Sequence, residues 1–175
     1  MTEAEWLACE EPGQMLVRLD EPVSLRKRAL YLSAGAACEC NSGDFVRTSS
    51  LTPRKGKDVG FNGLEVAIDD TTGAGYHDTG AIYDLAKPKR NAMKPAREWN
   101  RMVVTCRKSV IEVELNGEKV TRMDMDEFRK PNLRPDGTAH KFDVAYRDHP
   151  RKGWIGLQDH GSPCWFKNIK LKPLK

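Results

Sequence analysis

The spacing of apolar residues changes near residue 40. Before that point a capping-box pattern begins at Thr2, and Leu25, Ala29 and Leu32 recur every three or four positions. Such spacing places apolar side chains on one face of a helix. We therefore expect a short helical leader over residues 1–40, with its last helix around Ala29.

From residue 41 to the end of the chain the period is two. Leu64, Val66 and Ile68 alternate with more polar residues, and a second alternating run leads into Asn116-Gly117. Alternation predicts strands with one buried face, and Asn-Gly between two such runs predicts a two-residue hairpin turn with positive φ at both positions. Many short strands separated by turn residues indicate a mainly β fold, an antiparallel β-sandwich or jelly roll over residues 41–175.

The segment 153–172 predicts two further strands, joined by a tight polar turn at residues 161–163. The first of these strands has one apolar row and one polar row, and Gln158, Asp159 and His160 lie at its polar end. This group of side chains suits a carbohydrate or metal site. The alternative interpretation is a strand face that is simply exposed to solvent.

The composition excludes several classes of protein. The chain has 175 residues, and no stretch approaches the roughly 20 apolar residues that a membrane-spanning helix needs. The net charge of +4 comes from basic residues interleaved with acidic ones, which is typical of a solvated surface and argues against a nucleic-acid partner. The five cysteines form no CxxC pair, which favours reduced thiols over a zinc site. The acidic N-terminus shows no export signal, so the sequence as it stands predicts a cytoplasmic protein.

Six segments, in order, resemble one known family. These segments are Asn41–Arg47, Asn62–Asp70, Thr79–Tyr83, Lys94–Asn100, Leu115–Gly117 and Gly153–Lys172. Together they are similar to the 3-keto-disaccharide hydrolase family, also described as domain of unknown function 1080. The resemblance implies a concanavalin-like jelly roll over about residues 41–174, and relatives of this domain are typically exported.

The resemblance also implies a chemistry. Its substrates would be glycosides that another enzyme has oxidised at C3, since the ketone acidifies the proton at C2. A base removes that proton, the aglycone leaves C1 by elimination, and water then adds, which gives net hydrolysis. Such a reaction needs a base, a group that stabilises the enolate and an acid for the leaving oxygen.

Candidate catalytic residues are Glu65, Asp69 and His160. Glu65 and Asp69 share one face of a predicted strand, about 13 Å apart along it, so they can line one cleft but cannot both reach one atom. His160 titrates near neutral pH and therefore suits proton transfer. The alternative for both carboxylates is an exposed sheet surface.

Candidate substrate-binding residues are Arg47, Gln158, Tyr83 and Asp159. Arg47 could hold an enolate or a sugar hydroxyl through its forked donors, or could instead pair with a carboxylate on the neighbouring strand. A divalent cation held by carboxylates and His160 would also stabilise an enolate, although no ligand spacing in the sequence demands one.

The sequence departs from the family pattern in two places. Asp44 occupies a position that is usually apolar and whose parity faces the core. The strands that normally precede residue 41 are expected to be missing, and the first residues resemble a short leader found on planctomycete proteins. An incomplete jelly roll would expose sheet edges, through which copies could associate.

Three functions remain open at this stage. The first is a hydrolase or lyase acting on 3-keto-glycosides, and the second is a non-catalytic carbohydrate-binding module on the same scaffold. The third is an inactive, truncated homologue.

Overall fold

The computed structural model describes residues 27–36, 41–95, 98–158 and 164–173, which contain eight strands and three short 3-10 helices. The strands are β1 (Lys27–Ala36), β2 (Asn41–Thr48), β3 (Leu64–Asp69), β4 (Trp99–Arg107), β5 (Val110–Leu115), β6 (Glu118–Asp124), β7 (Trp154–Gln158) and β8 (Cys164–Pro173). The 3-10 helices are Val59–Asn62, Met125–Glu127 and Tyr146–Asp148. Within these ranges, no helix has the length and apolar character needed to cross a membrane.

The strands form two antiparallel sheets. The larger sheet has the order β6-β5-β4-β1-β8, and the smaller sheet has the order β3-β2-β7. Every strand pairing is antiparallel. The predicted mainly β antiparallel sandwich is thereby confirmed, whereas association through its edges stays a prediction.

The core lies between the two sheets. The smaller sheet contributes Leu64, Val66 and Ile68, all of which are buried, and the larger sheet contributes buried residues such as Val104 and Val113. Alternation therefore determined the inward face of β3 correctly, since residues two apart point to the same side of a strand.

The hairpin predicted at Asn116-Gly117 joins β5 to β6. Asn116 has φ 53° and Gly117 has φ 89°, so both turn residues adopt the left-handed conformation that the sequence predicted. The side chain of Asn116 also donates to the carbonyl of Ala92 at 2.8 Å, which fastens the turn to the preceding loop.

The helix predicted around Ala29 is wrong, because Lys27–Ala36 forms β1 inside the larger sheet, between β4 and β8. Leu30 is paired with Val104 of β4 on one side and with Leu171 of β8 on the other. A short apolar run fits a buried strand as well as a helix, and here hydrogen-bond partners on both edges favour the strand. One strand of the sandwich thus precedes residue 41, while the rest of the predicted leader lies outside the described residues.

The two strands predicted near the C-terminus exist, but they do not pair with each other. β7 pairs with β2 in the smaller sheet, and β8 pairs with β1 in the larger one. The intervening residues therefore connect the two sheets. The sequence could not distinguish this crossover from a hairpin, because turn residues suit both connections.

The segment from Pro131 to Pro150, whose mixture of proline, glycine and charged residues is typical of a surface loop, contributes to the core. Phe142 and Tyr146 are buried, and their rings make an edge contact with centroids 5.5 Å apart. His140, in the same segment, is only 5% exposed. The segment adds aromatic surface to the core, since Phe142 and Tyr146 both belong to the buried apolar cluster.

Candidate functional site

The candidate site lies on the face of the smaller sheet that points away from the core. Strand register places Glu65 opposite Phe45, which in turn lies opposite Gly156. The next row consists of Ala67, Gly43 and Gln158. We call this surface the Glu65 face. Gly43, Gly156 and Ala67 carry no side chain or only a methyl group there, whereas Phe45 shares the face with its whole ring.

Glu65 extends from β3 across the neighbouring strand. A methyl group on Gly43 would stand 2.6 Å from Cγ of Glu65 and 2.8 Å from its Oε1. Both distances are shorter than carbon–carbon or carbon–oxygen contacts allow. The carboxyl group therefore lies over the backbone of Gly43, directed toward the strand that bears Gln158.

The environment of Glu65 suits a general base. Its side chain is only 8% exposed, and burial raises its pKa from 4.5 to about 7. The charge of Lys141 acts in the opposite direction, while Asp58 raises the pKa further. A base whose pKa lies near the working pH combines a useful ionised fraction with strong proton affinity.

Tyr83, proposed from the sequence as a substrate-binding residue, lies next to Glu65. Its backbone N–H donates to the carbonyl of Glu65 at 2.8 Å, so residues around Tyr83 extend the smaller sheet beyond β3. Partial burial raises the pKa of the Tyr83 hydroxyl, and the charges of Glu65, Asp84 and Asp69 raise it further. The hydroxyl therefore remains a proton donor at neutral pH.

Lys141 is a residue that the sequence analysis missed. Its ammonium lies 4.4 Å from the centre of the Tyr83 ring, 5.2 Å from that of Phe142 and 5.4 Å from that of Phe61. It comes from the segment between Pro131 and Pro150. No local pattern in the sequence distinguishes this lysine from the other exposed ones.

Gln158 faces the site as predicted. It pairs with Gly43 in the backbone register, which puts it two strands from Ala67, about 10 Å away. Its Oε1 is buried and has no hydrogen-bond partner among the described residues. A buried amide oxygen without a partner costs free energy, so a donor from a ligand would be stabilising there.

Arg47 does not belong to this site, which corrects its prediction as a substrate-binding residue. Its guanidinium is buried between the sheets, where it donates to the Lys108 carbonyl at 2.6 Å and contacts Met125 Sδ at 2.8 Å. Arg47 has φ 55°, and the pairing of β2 with β7 shifts register between Phe45 and Thr48. The irregularity turns Arg47 away from the face that simple alternation assigned to it.

Asp69 lies at the far end of the same strand face and is half-buried. Its backbone N–H donates to the hydroxyl of Thr79 at 2.7 Å. His77 also approaches the site, because its ring stacks on Tyr83 with centroids 4.4 Å apart. The predicted site residues Asp159 and His160 lie outside the described residues, so their roles stay predictions.

The divalent cation considered from the sequence stays a prediction as well. Within the described ranges, no group of three or more His, Cys, Asp or Glu side chains is arranged to hold a metal ion. Two of the ligands considered for it, His160 and the neighbouring Asp159, fall outside those ranges.

Comparison with known proteins supports the same family that the sequence segments suggested. A model of the 3-keto-alpha-glucoside-1,2-lyase-like domain matches residues 23–172. A curated 3-keto-disaccharide hydrolase of Bacteroides thetaiotaomicron is 28% identical in an alignment of 102 positions that covers 54% of this chain and 35% of that protein. The chain thus spans about a third of the length of that relative.

Solved structures agree on the fold. A candidate glycosyl hydrolase from Parabacteroides distasonis superposes with a TM-score of 0.76 at 32% identity, covering 85% of this chain and 79% of that one. A second candidate glycosyl hydrolase from the same organism has a TM-score of 0.67 at 24% identity, with coverage of 86% and 71%. The family match begins at residue 23 and therefore includes β1. The chain belongs to the 3-keto-alpha-glucoside-1,2-lyase-like domain family.

Proposed function

We propose that the protein processes 3-keto-glycosides, with Glu65 as the base that removes the proton at C2. The observation that supports this proposal most directly is the buried Glu65 carboxyl, which lies over the backbone of Gly43 and has a pKa of about 7. An unactivated sugar C–H is far too weak an acid for such a base. A ketone at C3 makes the C2 proton removable, which is the chemistry expected for this family.

The steps balance as follows. Glu65 takes the C2 proton, and the electrons of the C–H bond form a C2=C3 double bond while the ketone becomes an enolate. The enolate then returns its electrons, a C1=C2 double bond forms, and the aglycone leaves C1 with the electrons of the glycosidic bond. The leaving oxygen takes up a proton, for which the Tyr83 hydroxyl is a candidate donor. Addition of water across C1=C2 completes a net hydrolysis.

Substrate orientation would come from the polar side chains around the Glu65 face. Gln158 offers an amide whose oxygen has no partner among the described residues, and Asp69 offers a carboxylate at the far end of the face. Both groups can hydrogen-bond sugar hydroxyls. Asp159 and His160 would add further contacts at the same strand end, as the sequence predicts.

A substrate comparison tests this function. The protein is incubated with a 3-keto-disaccharide and, separately, with the same disaccharide in unoxidised form, with and without EDTA. We expect monosaccharide release only from the keto sugar, and any loss with EDTA would indicate a metal requirement. Saturable binding of sugar without release would favour the carbohydrate-binding module instead. If the protein neither releases monosaccharide from the keto sugar nor binds it, the proposal is overturned.

A further inference from the structure

The ammonium of Lys141 is held in place by aromatic rings. It lies over Tyr83, Phe142 and Phe61 at the distances given above, all within the range of cation–π attraction. The backbone beneath it is also fixed, because the N–H of Lys141 donates to Oδ2 of Asp84 at 2.7 Å. A lysine on an exposed loop is therefore restricted to one region of the site.

This cation has no carboxylate partner in direct contact. Within the described part of the chain, its ammonium contacts ring faces and forms no ion pair within 4 Å. Its charge nevertheless reaches Glu65, since it lowers the pKa of that carboxyl against the effect of burial. The three N–H donors of the ammonium thus remain available to a ligand that Glu65 also reaches.

We propose that Lys141 is the electrophilic group of the site, donating a hydrogen bond to the C3 oxygen of the keto sugar while Glu65 removes the C2 proton. This role rests on the proposed function. C2 and C3 are adjacent, so the base and the cation must lie side by side, as the neighbouring positions of Glu65, Tyr83 and Lys141 provide. Negative charge that develops on the C3 oxygen is stabilised by the fixed ammonium.

The three rings around the ammonium explain why a flexible lysine can act as the electrophilic group. A free lysine side chain samples many rotamers, and ordering it at the moment of reaction would reduce the benefit of its charge. The rings of Phe61, Tyr83 and Phe142 attract the ammonium before the substrate arrives. A sugar without the ketone offers no oxygen that becomes negative, so the same cation would favour keto sugars over unoxidised ones.

Exchange of the C2 proton tests this role. The wild-type protein and the variant Lys141→Met, which keeps most of the apolar stem and loses the charge, are placed with the 3-keto-disaccharide in D2O. NMR then follows deuterium incorporation at C2. We expect Lys141→Met to slow exchange by about 100-fold or more, as removal of an oxyanion donor does in other enzymes, and Lys141→Arg to recover part of the rate. The matched control is Lys57→Met, because Lys57 also lies over the Phe61 ring, at 4.5 Å; it should exchange at close to the wild-type rate.

A second readout separates catalysis from packing. Without the charge of Lys141, the pKa of Glu65 should rise, which shifts the acidic limb of the exchange rate to higher pH. Thermal melts establish that each variant is folded. If the wild-type protein exchanges the C2 proton and Lys141→Met exchanges it at the same rate, the role of Lys141 alone is overturned. Absence of exchange in the wild-type protein would overturn the proposed function, and the role of Lys141 with it.

Discussion

The side chain of Glu65 lies directly over the backbone of Gly43 on the neighbouring strand. A single methyl group at position 43 would come within 2.8 Å of the Glu65 carboxyl oxygen. The missing side chain therefore determines where the candidate base is held.

Gly43→Ala should consequently reduce activity by displacing Glu65. We expect a loss of at least tenfold in kcat with a smaller change in KM, because a misplaced base affects proton transfer more than binding. Steady-state kinetics on a 3-keto-disaccharide measure the effect. Ser42→Ala, one residue away and on the core side of β2, is the control and should keep most of the activity. Equal kinetics in Gly43→Ala and the wild type would show that the site does not depend on this contact.

Glu65→Gln should reduce kcat by about 10² to 10⁴, the usual contribution of a general base. In the wild-type protein, kcat/KM should increase as pH rises through about 7, because Glu65 must be ionised to accept the proton. The matched control is Glu114→Gln, whose carboxylate pairs with Arg101 at 3.2 Å on the larger sheet. A flat pH profile between 5 and 9 would remove Glu65 from the role of base.

The same substitution should stabilise the folded protein at alkaline pH. Because the folded-state pKa of Glu65 is about 7 and its ordinary value is 4.5, ionisation disfavours folding as pH rises through this window. A pKa difference of this size reduces the free energy of unfolding by about 3 kcal/mol at pH 8, as an upper estimate. Urea unfolding of Glu65→Gln and wild type at pH 4 and pH 8 provides the measurement. We expect similar stabilities at pH 4 and a more stable variant at pH 8, and the opposite order would contradict the burial of this carboxyl.

Asp44 should likewise be a source of instability. It is fully buried on the core side of β2, and neither carboxyl oxygen has a hydrogen-bond partner among the described residues. Burial raises its pKa well above the ordinary 3.8, with the charge of Glu65 adding to the effect. The wild-type protein therefore loses stability as pH rises above about 4, since only the unfolded chain releases the proton readily.

Asp44→Leu restores an apolar residue at this position. We expect it to increase the free energy of unfolding by about 1–3 kcal/mol at pH 8, the cost of an unsatisfied buried polar group, and by less at pH 4. Asp44→Asn serves as a comparison, because it removes ionisation while keeping the shape. Denaturation of all three proteins at both pH values measures the difference. A loss of stability in Asp44→Leu at both pH values would mean that the carboxyl makes a native interaction with residues outside the described ranges.

Several features of the fold and site were predictable because they depend on local geometry. Period-two alternation in β3 assigned Val66 to the core and Glu65 to the opposite face, and both assignments are confirmed. The Asn116-Gly117 turn was predictable because few residues adopt positive φ at two successive positions. Tyr83 and Gln158 were proposed from the sequence as substrate-binding residues, and strand pairing places both on the same face of the smaller sheet as Glu65.

Other features depend on contacts between distant segments. Arg47 has the sequence parity of Phe45, yet a left-handed residue and a register shift turn it into the core. The apolar run around Ala29 forms a strand because β4 and β8 supply hydrogen bonds on both sides. Neither the irregularity in β2 nor the partners of β1 can be recognised from local residue patterns.

By itself, the sequence determined the β class, the inward and outward faces of β3 and the tight turn at Asn116-Gly117. Each of these follows from the stereochemistry of neighbouring residues. Only the tertiary structure decided which strands pair and which side chains come into contact. It assigned β7 and β8 to different sheets, laid Glu65 over Gly43 and brought Lys141 from a distant loop to the rings beside Glu65. These outcomes depend on how the two sheets and their loops pack, since burial and charge act between residues that lie far apart in the chain.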